Sequence, residues 1–185
     1  MDFFTLITQI LTLIGEYLSQ NALAQALVTE WRILMETHAI ILLFVSAFCG
    51  ALVGLEREYA HKPAGLRTNM MISVGSCLFT LASLYTWKYV GHSGLGDPGR
   101  IAAQIVSGVG FIGAGVILRT GMHITGITTA STIWLVAAVG MVIGLGFPLL
   151  GILASAGAAI TLFILRKLDL DFLHHDDPPS PPDSH

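Results

Sequence analysis

Charge is scarce in this chain. Only 11% of its 185 residues are Asp, Glu, Lys or Arg, where a water-soluble domain carries about a quarter. Mean hydropathy is +0.73. A chain so poor in charge cannot clothe itself in a solvated surface, so the expected class is an all-α, polytopic membrane bundle. Cysteine is nearly absent. Cys49 and Cys77 both lie in apolar runs, which reads as two small core residues and not as a disulfide framework. No basic patch is present, which excludes nucleic acid as a partner. Catalytic signatures are missing as well: no Gly-x-Ser-x-Gly elbow, no P-loop lysine, no His-Glu-x-x-His pair. The seven histidines are scattered without zinc-ligand spacing. The expectation is a protein that is not an enzyme and carries no cofactor. The N-terminus has no basic stretch before Phe3-Phe4, so no cleavable signal is expected.

Apolar runs are what the sequence does have. The most distinctive lies in residues 97–119, where eighteen uncharged residues separate Arg100 from Arg119, enough to cross most of a ~30 Å hydrocarbon core at ~1.5 Å per residue. On a helix, Ala103, Ser107, Gly110 and Ala114 share one face, with Gly113 close by. A face without bulk lets a neighbouring helix approach closely, which is how helices pack in lipid. Gln104 lies beside that face and is expected to turn into the protein or a wet cavity, because an amide in lipid is costly unless hydrogen-bonded.

The other runs divide the chain into three parts: N-terminal interfacial helices over 1–37, a transmembrane domain over 38–168, and an acidic, Pro-rich disordered tail over 169–185. Residues 3–15 are short for a span and read as an interfacial helix, the alternative being an extra span over 3–18. Residues 22–36 read as a second amphipathic helix, with Leu23, Ala26, Leu27 and Leu34 at helical spacing. About five spans are expected: 38–55, 68–86, the central run, 127–145 and 149–165. Gly50 with Gly54, and Gly140 with Gly144, are four apart and predict close helix contacts. Residues 87–99 read as a Gly-rich loop, with Asp97 capping the central helix. If the 56–67 loop is cytoplasmic, six of the nine Lys and Arg fall on that side and three on the other, which favours a cytoplasmic C-terminus.

Polar groups gather at span ends. One end holds Glu56, Arg57, Glu58, Arg67, Asn69, Arg119 and the hydroxyls of Thr128, Thr129, Ser131 and Thr132; the other holds Asp97 and Arg100. Glu56 and Glu58 are two apart, so they point in different directions on a helix. One is expected to face inward and pair with Arg67 or Arg119, leaving the other solvated. A hard cation wants oxygen ligands, which Glu56, Glu58, Asn69, Asp97 and the threonines could offer. Asp97 lies at the opposite membrane face from the glutamates, so no single site can use them all. A permanent Mg²⁺ cage is not expected, and any metal site is left open.

Several stretches together resemble the MgtC/SapB family. They are Gly50-Ala51-Leu52-Val53-Gly54-Leu55-Glu56-Arg57-Glu58, Ala64-Gly65-Leu66-Arg67-Thr68-Asn69, the run from Asp97 to Gly115, and Gly126-Ile127-Thr128-Thr129-Ala130 with Trp134. The similarity covers about residues 38–165. It implies a bacterial inner-membrane protein of about five spans, tied to growth at low Mg²⁺ and in some members to survival inside macrophages. It implies action through other membrane proteins, the F-type ATP synthase among them, or magnesium transport. It also implies a polar signature of Glu56, Arg67, Asn69, Asp97, Arg100, Gln104, Ser107 and Thr129. Two departures stand out: only a tail follows Asp169, where longer members have a soluble domain, and Ser131 and Thr132 stand where some relatives carry a carboxylate. Two functions are expected to compete. One is an oligomeric membrane regulator, dimeric by preference, embedded in the bilayer and able to engage another membrane protein. The other is a transporter or channel for Mg²⁺ or another small cation.

Overall fold

The computed structural model describes residues 3–90, 97, 99–120 and 123–173. The chain divides into two compact units, residues 1–40 and 41–185. In the first, α1 (Phe3–Gln20) and α2 (Ala22–Glu36) form a helical pair. Asn21 separates them: its side chain accepts a hydrogen bond from the Leu23 N–H at 3.1 Å and starts α2. Thr8 and Thr12 turn their hydroxyls back onto the carbonyls of Phe4 and Thr8, which hides polar atoms inside an apolar helix. The apolar part of α1, Phe4–Tyr17, is shorter than a full span.

The second unit is built from α3 (Ala39–Tyr59), α4 (Leu66–Tyr85), α5 (Gly99–Gly115), α6 (Ile127–Gly144) and α7 (Pro148–Leu173). Four of these, α3, α4, α6 and α7, are long and apolar enough to cross a membrane. Phe44, Phe48, Phe79 and Phe111 point outward while serines and threonines are buried, the reverse of a water-soluble protein. The fold is an all-α polytopic membrane bundle.

The central run differs from its expected extent. Helix α5 stops at Gly115, four residues before Arg119, and its apolar part, Ala102–Gly115, is shorter than the other spans. A two-stranded antiparallel hairpin follows, β1 (Leu118–Thr120) with β2 (His123–Thr125), pairing Leu118 with Thr125. The β-branched Val116, Ile117, Thr120, Ile124 and Thr125 favour extended backbone there. Gly126 then adopts φ +89°, a left-handed conformation that suits glycine, and a Cβ at this position would collide with the Val116 carbonyl. Two other boundaries shift. A π-helical turn, Thr86–Val90, extends α4 into the segment expected to be a loop; residues 91–96 and 98 of that segment lie outside the described residues. Helix α7 runs to Leu173 and takes in the first residues of the expected tail, because no Gly or Pro occurs between Gly157 and Pro178 to stop it. Residues 174–185 lie outside the described residues.

Helix α4 is held between α3 and α6 by glycines on both neighbours. A Cβ on Gly50 would stand 2.6 Å from the Asn69 carbonyl oxygen, and one on Gly54 would stand 2.7 Å from Leu66 Cα. On the other side, a Cβ on Gly144 would lie 2.8 Å from the Cys77 carbonyl oxygen, and one on Gly140 would run into the Ser73 backbone. The order of these contacts makes α3 antiparallel and α6 parallel to α4. Helix α6 also touches α5 and α7. It is the most buried span, with Ile133, Val136 and Ile143 at or near zero exposure.

The small-residue face of α5 does not take part in this packing. Ala103, Ser107, Gly110 and Ala114 are exposed, and among the described residues nothing stands within 4 Å of a Cβ built on Gly110. The buried stripe is Ile105, Val109 and Gly113, four apart. Ile105 and Val109 of this stripe pack with Ile133 and Ala137 of α6, and Gly113 lies against Ala130.

Gly140→Ala is expected to destabilise the bundle by about 1–3 kcal/mol, because the colliding atoms are backbone and cannot turn aside. Gly157→Ala, with open space around it, is expected to be neutral or mildly stabilising. Unfolding midpoints in detergent check this; equal midpoints for the two variants would refute the packing account.

Candidate functional site

Helix α4 carries a polar stripe. Asn69, Ser73, Ser76, Thr80 and Ser83 recur at intervals of four and three, and all are buried together with Cys77. In a membrane bundle such groups must find partners inside the protein. The Ser73 hydroxyl meets the Ser46 hydroxyl of α3 at 2.8 Å. Thr80 bonds back to the Ser76 carbonyl at 2.8 Å. Asn69 donates its Nδ2 to the carbonyls of Gly65, at 2.9 Å, and Ala64. This ties down the tight α3–α4 connection, in which His61 and Ala64 both have positive φ. Asn69 Oδ1 is buried and accepts no hydrogen bond among the described residues.

The connection is also held by Glu58, whose exposed carboxylate accepts from the Leu66 N–H at 2.8 Å and so starts α4 in place of the side chain that Gly65 lacks. Glu58 is thus not simply solvated. Glu56 faces inward, as expected of one member of the pair, but its partners are different. Glu56 Oε2 accepts from Arg57 Nε at 2.6 Å and stands 2.5 Å from Arg57 Nη2. Glu56 Oε1 lies 3.8 Å from Arg166 Nη1 and accepts no hydrogen bond among the described residues. The Glu56 and Arg57 side chains are only 7% and 5% exposed. Arg67 and Arg119, the expected partners, are exposed on the first turn of α4 and on β1. The reason is helix direction. Helices α3 and α7 run parallel, with Cys49 and Ser155 sharing a side-chain hydrogen bond and Glu56 level with Arg166 further along both.

A cavity of about 830 Å³ opens beside this ion pair. The last turn of α3 contributes Arg57, the connection after it Lys62, and α7 Arg166; the hairpin and the start of α6 contribute Thr125, Thr128 and Thr129. The first intrahelical bond of α6 is Ala130 N–H to the Gly126 carbonyl, at 2.9 Å. Gly126 offers no side chain to cap the N–H groups of Ile127, Thr128 and Thr129 ahead of it.

The remaining predicted residues are dispersed. Asp97 caps the start of α5, accepting from the Gly99 N–H at 2.8 Å, and Arg100 is exposed on the same turn. Both lie at the far end of α5 from the hairpin that carries Arg119. Gln104 is exposed along the helix and lines a groove of about 490 Å³ between α4 and α5, whose other walls include Ser76, Met71 and Phe79. Ser107 is exposed on the open face of α5. Thr129 is buried and Thr128 exposed at the cavity. Among the described residues, no three His, Cys, Asp or Glu stand close enough to hold a metal ion. The structure brings Glu56, Arg57, Thr128 and Thr129 to one end and adds Lys62 and Arg166. Arg166 read only as the end of the last span; a pairing so distant in sequence leaves no local pattern.

The MgtC family profile, described as MgtC family, matches residues 43–170, which include α4 to α6 and most of α3 and α7. The chain belongs to the MgtC family. It is similar to the "Putative magnesium transporter YhiD" of Escherichia coli (strain K12), 49% identical over 138 residues, which are 72% of this chain and 63% of that protein. It is also similar to "Protein MgtC" of Salmonella typhimurium (strain LT2), 46% identical over 117 residues, 63% of this chain and 47% of that one. "Protein MgtC" of Brucella abortus is 42% identical over 136 residues, 73% of this chain and 51% of that one. This MgtC-family chain therefore spans about half to two thirds of the length of these relatives. No solved structure matches it.

Glu56→Ala leaves the buried Arg57 without its carboxylate and is expected to cost about 3–5 kcal/mol of stability. Glu58→Ala removes one exposed cap and is expected to cost about 1 kcal/mol. Equal losses for the two in detergent unfolding would contradict the assignment of Glu56 as the inward-facing member.

Proposed function

We propose that this chain is a non-enzymatic regulator in the bacterial inner membrane, serving magnesium homeostasis and adaptation to low Mg²⁺ as an oligomer, with a dimer favoured. The observation that carries the reading is the open face of α5. The glycines of α3 and α6 are spent inside the protomer, whereas Ala103, Ser107, Gly110 and Ala114 face outward. A groove of about 380 Å³ runs along this face between Gly110, Ala114, Ile117, Ser131 and Trp134. Its shape and lack of bulk suit a helix of a second copy, which gains van der Waals contact that lipid chains do not match. The same face could engage another membrane protein. The link to magnesium rests on the printed name of the Escherichia coli relative. The excess of Lys and Arg at the Arg57 end supports a cytoplasmic C-terminus.

Gly110→Leu and Ser107→Leu are expected to shift the oligomer to the monomer in detergent and in lipid, without changing the unfolding midpoint of the protomer. Oligomer size that both variants leave unchanged would sink this reading.

A second reading, transport of Mg²⁺ or another small cation, is favoured by one observation: Glu56 Oε1 is a buried carboxylate oxygen with no hydrogen bond among the described residues. It predicts Mg²⁺ entry into proteoliposomes that Glu56→Gln and Gln104→Leu abolish. Absence of flux with folded protein would remove it.

A further inference from the structure

The cavity at the Arg57 end carries an imbalance of charge. Arg57, Lys62 and Arg166 line it, and Glu56 beside it meets Arg57 and Arg166, so three cations against one anion leave an excess of two positive charges. Glu58 is turned to the Leu66 N–H and is not among the lining residues. Arg57 is buried, and its pair with Glu56 uses Nε and Nη2 of a guanidinium with five N–H donors. With Arg57 buried, Arg166 partly buried and Lys62 exposed at the rim, one carboxylate leaves the site positive and an anion in the cavity is electrostatically favoured. The cavity also receives the uncapped first turn of α6, whose N–H groups and positive dipole end favour negative charge. Thr128 adds a hydroxyl donor at the same turn.

The lining also says which anion. Beside the cations lie Val116, Ile124, Ile127, Leu162 and Leu165, so the site is polar at one part and oily at another. At about 830 Å³ it holds far more than an inorganic phosphate. It lies where spans α3 and α7 end, the level at which a bilayer changes from hydrocarbon to headgroup. We propose that this cavity binds the phosphate group of an anionic phospholipid, with Arg57, Arg166, Lys62 and the start of α6 on the phosphate and the leucine-lined wall on an acyl chain. The site stands whether the chain regulates or transports.

The test is native mass spectrometry on the full chain in neutral detergent, titrated in separate arms with phosphatidylglycerol, phosphatidylcholine, inorganic phosphate and ATP. Phosphatidylglycerol is expected to bind at least tenfold tighter than phosphatidylcholine. The double variant Lys62→Gln/Arg166→Gln is expected to lose that preference by about tenfold, the scale of losing charge-assisted hydrogen bonds. Arg57→Gln is expected to lose it too. Because that variant disturbs a buried pair, the double variant, altering one exposed and one partly exposed side chain, decides the matter. Binding of phosphate or ATP that the double variant abolishes, without a preference for phosphatidylglycerol, would overturn the lipid and keep a phosphate site for a free anion. Equal phosphatidylglycerol binding by the natural chain and the double variant would overturn the site.

Discussion

The close approach of α4 to its two neighbours is the constraint on which the bundle depends. Ser73 is the tightest point: its hydroxyl bonds Ser46, its Cβ faces Gly50, and its backbone leaves no room for a Cβ on Gly140. In lipid, apolar side chains gain little by leaving the hydrocarbon, so helices are held by contact and by hydrogen bonds. Glycine supplies the contact here, and the same closeness brings the α4 stripe within reach of α3. A helix displaced outward by one methyl group would lose both at once.

With α4 fixed, the rest of the geometry follows. Helix α3 ends against the tight 60–65 connection, which Asn69 and Glu58 close from opposite sides. That places Glu56 and Arg57 at the end of the bundle, and the parallel run of α7 brings Arg166 to the same level. Helix α6, running with α4, delivers its first turn to the same place through Gly126. Three segments far apart in the chain thus converge on one charged cavity, while Asp97 and Arg100 remain at the other end of α5.

Helix α5 plays a different part. It closes the bundle with a stripe of Ile105, Val109 and Gly113 and leaves its smoothest side unused. Its short length and the hairpin after it set it apart from the four longer spans. A helix can be glycine-rich for two reasons, internal contact or a contact still to be made. Helices α3 and α6 illustrate the first; the proposed contact through α5 would be the second.

Much of this was legible in the sequence because it rests on local chemistry. Scarce charge and long apolar runs determine a membrane bundle; the four-residue spacing of Gly50 with Gly54 and of Gly140 with Gly144 determines where helices touch; Asp97 before Gly99 determines a helix start. Family membership was legible too, in continuous stretches of residues. Which face of α5 turns inward was not, because a helix with apolar residues on several sides offers more than one solution, and only the space left by α4 and α6 selects among them. The hairpin after Gly115 was missed because apolar β-branched residues read equally well as the end of a span. The partners of Glu56 were decided by the tertiary structure alone, since helix direction and register, and no sequence spacing, put Arg166 beside it.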